Sequence, residues 1–162
     1  MRADRYVRRM LLIGMGLGYA AVMLYLLFVR HRYPMDGYAY NLVPLRTIES
    51  YLLNRDAYNF DTWFKNLFGN LVLFIPIGIF LPLLFKRLRR MIPFTAACVL
   101  ILLAVETMQM LLKVGSFDID DIILNTIGAW LGLFFTYMIR GVAGIGPLNG
   151  LADRESSKAS NE

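Results

Sequence analysis

The sequence predicts an all-α membrane protein of four transmembrane helices. Both termini face the cytoplasm, and a long aromatic-rich outer loop joins the first two helices. Three observations point there. The 162 residues are 57% hydrophobic and only 18% charged, against about 45–50% and 25% in typical soluble domains. The apolar residues gather in four long runs, at 10–29, 67–85, 91–112 and 122–139. The basic residues fall mostly on one side of those runs.

Each run is 18–22 residues long, near the roughly 20 residues a helix needs to cross about 30 Å of hydrocarbon. Three carry no charge, and the third carries one, Glu106. Arg2, Arg5, Arg8 and Arg9 ahead of the first run resemble the start of a signal peptide. The run is too long for a signal sequence, however, and no small-residue cleavage site closes it, so it reads as a retained anchor. Eleven of the seventeen Lys and Arg residues lie in 1–9, in 86–90 and after the last run, whereas seven of the twelve acids lie in 30–66 and 113–121. The first set is therefore cytoplasmic. The net charge of +5 then describes orientation and possible contact with anionic headgroups, with no nucleic-acid partner needed. The expected location is a membrane with both termini on its cytoplasmic side.

The expected organisation is a basic N-terminus at 1–9, a membrane domain at 10–140 and a disordered tail at 141–162. The 30–66 loop carries Tyr33, Tyr38, Tyr40, Tyr51, Tyr58 and Trp63, residues that favour a membrane interface. Leu45, Ile48 and Leu52 share one helical face, which predicts a short interfacial helix. His31, between two arginines, reads as an interfacial flank, and Cys98 as inert. Pro76 frees the Val72 carbonyl, which predicts a kink. Gly14–Gly18 and Gly128–Gly132 have the spacing of close helix contacts.

Polar residues inside a membrane are costly and often functional. Asn66 and Asn70 lie four apart near the outer end of the second run. Glu106 and Gln109 sit near the outer end of the third. Asp118, Asp120, Asp121 and Asn125 open the fourth. At about 1.5 Å rise per residue, Asn70, Glu106 and Asn125 lie at one depth. This predicts one outward-facing polar cluster with Glu106 at its base, its charge answered by Arg46, Lys65 or Lys113, with Arg46 as a roof. Asp118 reads as a helix cap, and Asp120 as solvent-exposed.

No Ser-His or Cys-His pair and no phosphate loop appears, so the residues lean away from catalysis. An enzyme alternative would use Asp118 and Asp121 as weak Mg²⁺ ligands with Glu106 or Asp121 as the catalytic group, acting on a lipid phosphate or pyrophosphate. Otherwise no cofactor is expected. Four spans without repeats are few for a transporter, which would need an oligomer. A purely structural bundle is the third alternative.

The stretches Asn41-Leu-Val-Pro44-Leu, Asn66-Leu-Phe-Gly-Asn70-Leu-Val-Leu-Phe-Ile-Pro76-Ile-Gly78, Glu106-x-x-Gln109 and Phe117-Asp118-Ile-Asp120-Asp121-Ile-Ile-Leu-Asn125-Thr-Ile-Gly128 together resemble the VanZ-like family, over 41–137 and in the family's order. The resemblance implies a small bacterial envelope protein whose namesake confers low-level resistance to teicoplanin, a lipidated glycopeptide. Its polar signature falls on Asn41, Asn66, Asn70, Glu106, Gln109, Asp118, Asp121 and Asn125. With Arg46, these are the candidate ligand-binding residues, for membrane lipids or lipid-linked cell-wall precursors. Where family members carry an arginine ahead of the acidic motif, this chain reads Lys113-Val-Gly-Ser116, leaving the charge partner of the aspartates open.

Overall fold

The computed structural model describes residues 2–30 and 36–142. The readings of His31, Tyr33 and the tail beyond Val142 lie outside them. Six helices and two very short strands follow in order. They are α1 (Arg2–Phe28), β1 (Tyr40–Asn41), α2 (Arg46–Leu53), α3 (Phe60–Phe64), α4 (Asn70–Leu84), α5 (Met91–Leu111), β2 (Phe117–Asp118) and α6 (Ile119–Val142). A π-helical segment, Lys65–Gly69, joins α3 to α4. Four stretches are long and apolar enough to cross a membrane: Tyr6–Phe28, Phe60–Leu84, Met91–Leu111 and Ile119–Gly141.

The second stretch starts seven residues before the uncharged run does, because the charges at its start answer each other. Lys65 Nζ lies 3.1 Å from Asp61 Oδ2 one turn back, with both side chains exposed. Asn59 begins the helix by accepting from the Thr62 N–H at 2.7 Å, an ordinary N-cap. Helix α4 passes Pro76 and Pro82 as one continuous element.

Helices α4 and α6 form the tightest pair. A Cβ on Gly78 would lie 2.5 Å from the Leu133 nitrogen and 2.7 Å from the Gly132 carbonyl carbon. One on Gly128 would run into the Leu71 carbonyl, and one on Gly132 into that of Ile75. Glycine at these positions lets two backbones touch, as small residues do between membrane helices. Thr136 Oγ1 donates across the same contact to the Gly78 carbonyl at 3.2 Å. The matching pair on α1 is different. Added Cβ atoms on Gly14 and Gly18 meet nothing within 4 Å, so the packing expected there is absent.

Two apolar clusters make the core. Phe94, Cys98, Ala129 and Leu133 join α5 to α6, backed by Ile77 and Leu81 of α4. Met23, Phe74, Leu102 and Ile122 bring together α1, α4, α5 and α6. Of the four long apolar helices, α1 is the least integrated: among its described residues only Met23 is buried. At the end of the molecule formed by the turn Lys86–Arg89, Arg89 Nε donates to the Pro82 carbonyl at 3.0 Å, and the Tyr137 hydroxyl donates to the Arg89 carbonyl. Burial and the neighbouring Arg140 lower the Arg89 pKa.

At the opposite end Gln109 Nε2 donates to the Leu27 carbonyl at 2.8 Å, tying α5 to the last turn of α1. With α1 so sparsely packed, Gln109→Leu is expected to loosen it. Interhelical bonds of this kind in membranes average about 0.6 kcal/mol. The loss should appear as faster hydrogen exchange confined to the Leu24–Phe28 amides, and unchanged exchange there would refute the tie.

Candidate functional site

Asn70, Glu106 and Asp121 come from three helices and Asp118 from the end of the short strand before α6, and the structure brings them to one level. Asn70 Nδ2 donates to Asp121 Oδ1 at 2.6 Å, linking α4 to the first turn of α6. Glu106 is 3% exposed and accepts from the Asp118 backbone N–H at 3.1 Å. Helix α5 reaches that level through a C-terminal Schellman turn. Val114 N–H donates to the Gln109 carbonyl and Lys113 N–H to that of Met110, both at 3.0 Å. Lys113 occupies the left-handed position of that turn, at φ 55°.

The chain then enters β2, which pairs in parallel with β1: Tyr40 faces Phe117 and Asn41 faces Asp118. Two residues per strand leave no periodicity to read, so this bridge is invisible in the sequence. It nevertheless sets the site, because it seats Asn41 against the acidic motif. Asn41 Nδ2 donates to Asp118 Oδ1 at 3.1 Å and to Thr47 Oγ1 at 2.9 Å, and the Thr47 hydroxyl donates to Asp118 Oδ2 at 2.7 Å. Asp118 also accepts from the Asp120 N–H at 2.9 Å, the capping geometry expected of it.

Asp120 corrects the sequence reading most sharply. Expected in solvent, it is 0% exposed. Its Oδ1 accepts from the Leu45 N–H at 2.5 Å, and its Oδ2 from the N–H groups of Thr47 at 2.7 Å and Ile48 at 3.2 Å. These are the free donors at the start of α2, an end that attracts negative charge. Leu45 at the helix start has no capping side chain and sits at φ 66°, a left-handed conformation unfavourable for a leucine. Asp120 supplies the missing cap from 75 residues away in sequence. A helix start with no local cap, such as Pro44-Leu45-Arg46, is the one hint the sequence gives that an anion must come from elsewhere.

Where the sequence reading placed an Arg46–Glu106 pair as the roof, the backbone start of α2 rests on Asp120. The three cations named for Glu106 are placed elsewhere. Arg46 is exposed, Lys65 is with Asp61, and Lys113 Nζ lies 5.4 Å from the centre of the Tyr38 ring. A helix forms where the interfacial one was expected, over Arg46–Leu53. Its underside meets α3: Trp63 Nε1 donates to the Tyr51 carbonyl at 2.9 Å, and Arg55 lies 4.6 Å from the Trp63 ring centre.

Two candidates bond to neighbouring elements instead of to the carboxylates. Gln109 is bonded to α1, and Asn66 Nδ2 donates to the Tyr51 hydroxyl at 2.7 Å. Burial, then the adjacent Tyr58 and Asp121, raise the Tyr51 pKa, so this phenol stays protonated well into alkaline solution. Asn125 is 3% exposed, one turn below Asp121 on the same face, and its Oδ1 has no hydrogen-bond partner among the described residues. A buried polar atom left unmatched costs about 1–3 kcal/mol. The Thr126 hydroxyl beside it is in the same state.

The arrangement is rich in acceptors. Glu106, Asp118 and Asp120 are buried, Asp121 and Asn70 half-buried, and no lysine or arginine is buried among the described residues. Both Asp118 oxygens already accept hydrogen bonds. Among the described residues no three His, Cys, Asp or Glu side chains are disposed to hold a metal ion.

Comparison with known proteins agrees with the motif reading. The family model for VanZ/LLP1 matches residues 16–140. Protein VanZ of Enterococcus faecium is 31% identical over 94 residues, which is 58% of this chain and 58% of that protein. The chain thus aligns with a little over half the length of that relative. No solved structure matches.

Proposed function

The chain belongs to the VanZ/LLP1 family, and from that membership we propose that it is a multi-pass protein of the bacterial cytoplasmic membrane that binds a lipidic or lipid-linked envelope component. Its termini face the cytoplasm, and the polar cluster faces outward beneath α2. By limiting what lipoglycopeptides can reach at the membrane surface, such binding would lower susceptibility to teicoplanin.

One observation carries the reading: buried carboxylates and the open Asn125 acceptor meet half-buried Asp121 and Asn70 at one end of the membrane helices. The open Asn125 acceptor suits a ligand group that donates, such as a hydroxyl or amide. Asp118 and Asp120 are held by their own hydrogen bonds and shape the site. Asp121, half-buried, is placed to meet the ligand, and Glu106 and Asn125 lie beneath it.

Expression in a teicoplanin-sensitive host tests this. The wild-type chain is expected to lower susceptibility, and Asp121→Asn or Glu106→Gln to return it to the level of the empty vector at equal membrane abundance. Wild-type behaviour of both variants would refute the site. A variant that fails to accumulate in the membrane would point instead to a structural bundle.

A further inference from the structure

A second feature lies within the membrane-spanning part. Between α1, α4 and α5 is a cavity of about 390 Å³, within the range of about 300–1,000 Å³ usual for small-molecule sites. Its wall is apolar throughout apart from Tyr19, and the Tyr19 hydroxyl already donates to the Leu73 carbonyl. Small residues on α1 open it. Gly16 and Ala20 line it together with Phe80, Leu84 and Ile101, and a Cβ on Gly16 would come into ordinary contact with Leu84 at 3.8 Å.

We propose that this cavity holds one hydrocarbon chain of a membrane lipid whose head group is taken by the polar cluster. The inference rests on the functional reading above and names the part of the ligand that reading leaves unassigned. The medium at the mouth of the cavity decides the class of occupant. All three walls belong to membrane-spanning stretches, so the adjoining fluid is alkyl chain. Apolar cavities of about 150 Å³ already take up benzene rather than water.

Continuity with the polar cluster sets the direction of the chain. Phe74, a wall residue, lies one turn beyond Asn70 on the same face of α4. Val105 immediately precedes Glu106 on α5. Leu27 lines the cavity on α1, and its carbonyl accepts from Gln109, one turn from Glu106 on α5. A polar end and an apolar slot in one line fit an amphiphile. The sparse packing of α1 leaves the chain a way in from the side, since α1 forms half the wall and buries only Met23 among its described residues.

The test uses the full chain in nanodiscs of phosphatidylglycerol doped with phosphatidylglycerol bearing a diazirine midway along one acyl chain. After illumination, cross-links are mapped by peptide mass spectrometry. Labelling is expected to concentrate on Gly16, Ala20, Phe80 and Ile101. Ala20→Trp, which fills the slot, should cut it several-fold there while leaving labelling of the outer-facing Phe134 unchanged. Gly16→Leu is the milder filling variant should Ala20→Trp fold poorly, and Gly18→Ala, on open surface, should change nothing. Labelling spread evenly over all exposed apolar positions, or cavity labelling insensitive to both filling variants, would overturn the proposal. Failure of the chain site leaves the effect of Asp121→Asn on teicoplanin susceptibility standing. Failure of the head-group reading shows instead as loss of that effect with cavity labelling intact.

Discussion

Replacing Gly132 by alanine is expected to unfold the helix pair at the centre of the molecule, although the same change in an open helix stabilises. Alanine is favoured over glycine in a helix by about 1 kcal/mol. At Gly132 the added methyl would run into the Ile75 carbonyl and lie 2.9 Å from the Gly78 Cα. Its obstacles are backbone atoms, so no side chain can turn aside, and α4 and α6 must separate. The cost belongs at or above the top of the range of about 1–3 kcal/mol typical of overpacked cores. Separation would also strain the Thr136 bond to the Gly78 carbonyl and the Asn70–Asp121 bond, which cross the same pair. Thermal unfolding in detergent, followed by size-exclusion chromatography, should show Gly132→Ala strongly destabilised or aggregated. Gly18→Ala, whose Cβ meets nothing within 4 Å, should match or exceed the wild type. Equal midpoints for the two variants would refute the close contact.

The two glycine pairs also show what the sequence can convey. Gly14–Gly18 and Gly128–Gly132 have the same spacing, and only the presence of a partner helix separates them, which is not a local property. The spans, by contrast, are legible because hydrocarbon thickness and helix rise act as a ruler. The ruler also put Asn70, Glu106 and Asn125 at one depth; the structure joins Asn70 to Asp121, one turn before Asn125, and Glu106 to the Asp118 backbone. It failed at the start of the second span, where the Asp61–Lys65 pair lets charged residues extend the helix. It was also silent on the β1–β2 bridge and on Asp120, whose hydrogen-bond partners on α2 lie more than 70 residues away in sequence. Periodicity reports which face a residue occupies on its own element. It carries nothing about which distant helix end needs a cap.

Asp120→Ala is expected to free α2 from the membrane domain. It removes the acceptors for the N–H groups of Leu45, Thr47 and Ile48 together. Hydrogen bonds to a charged group contribute about 1.5–3 kcal/mol each and are not additive, so a loss of about 3 kcal/mol or more is the expectation. Asp120→Asn keeps one acceptor but turns an amide N–H₂ toward backbone donors, and should fall between wild type and alanine. Leu45 has a further reason to move, because its left-handed conformation persists only while its surroundings hold it. Two readouts follow α2 directly. The amides of Leu45, Thr47 and Ile48 should exchange faster, and Trp63, which donates to the Tyr51 carbonyl of α2, should change its fluorescence in a Trp130→Phe background. Protected amides with unchanged Trp63 emission in Asp120→Ala would show that α2 is held by other contacts. The variant also separates shape from chemistry at the proposed site, because Asp121, Glu106 and Asn125 remain in place. If α2 must cover the cluster for ligand to be held, Asp120→Ala should abolish protection against teicoplanin as fully as Asp121→Asn does, at equal membrane abundance. If protection survives once α2 is shown to be loose, the residues of the membrane helices suffice and α2 serves only to close the fold.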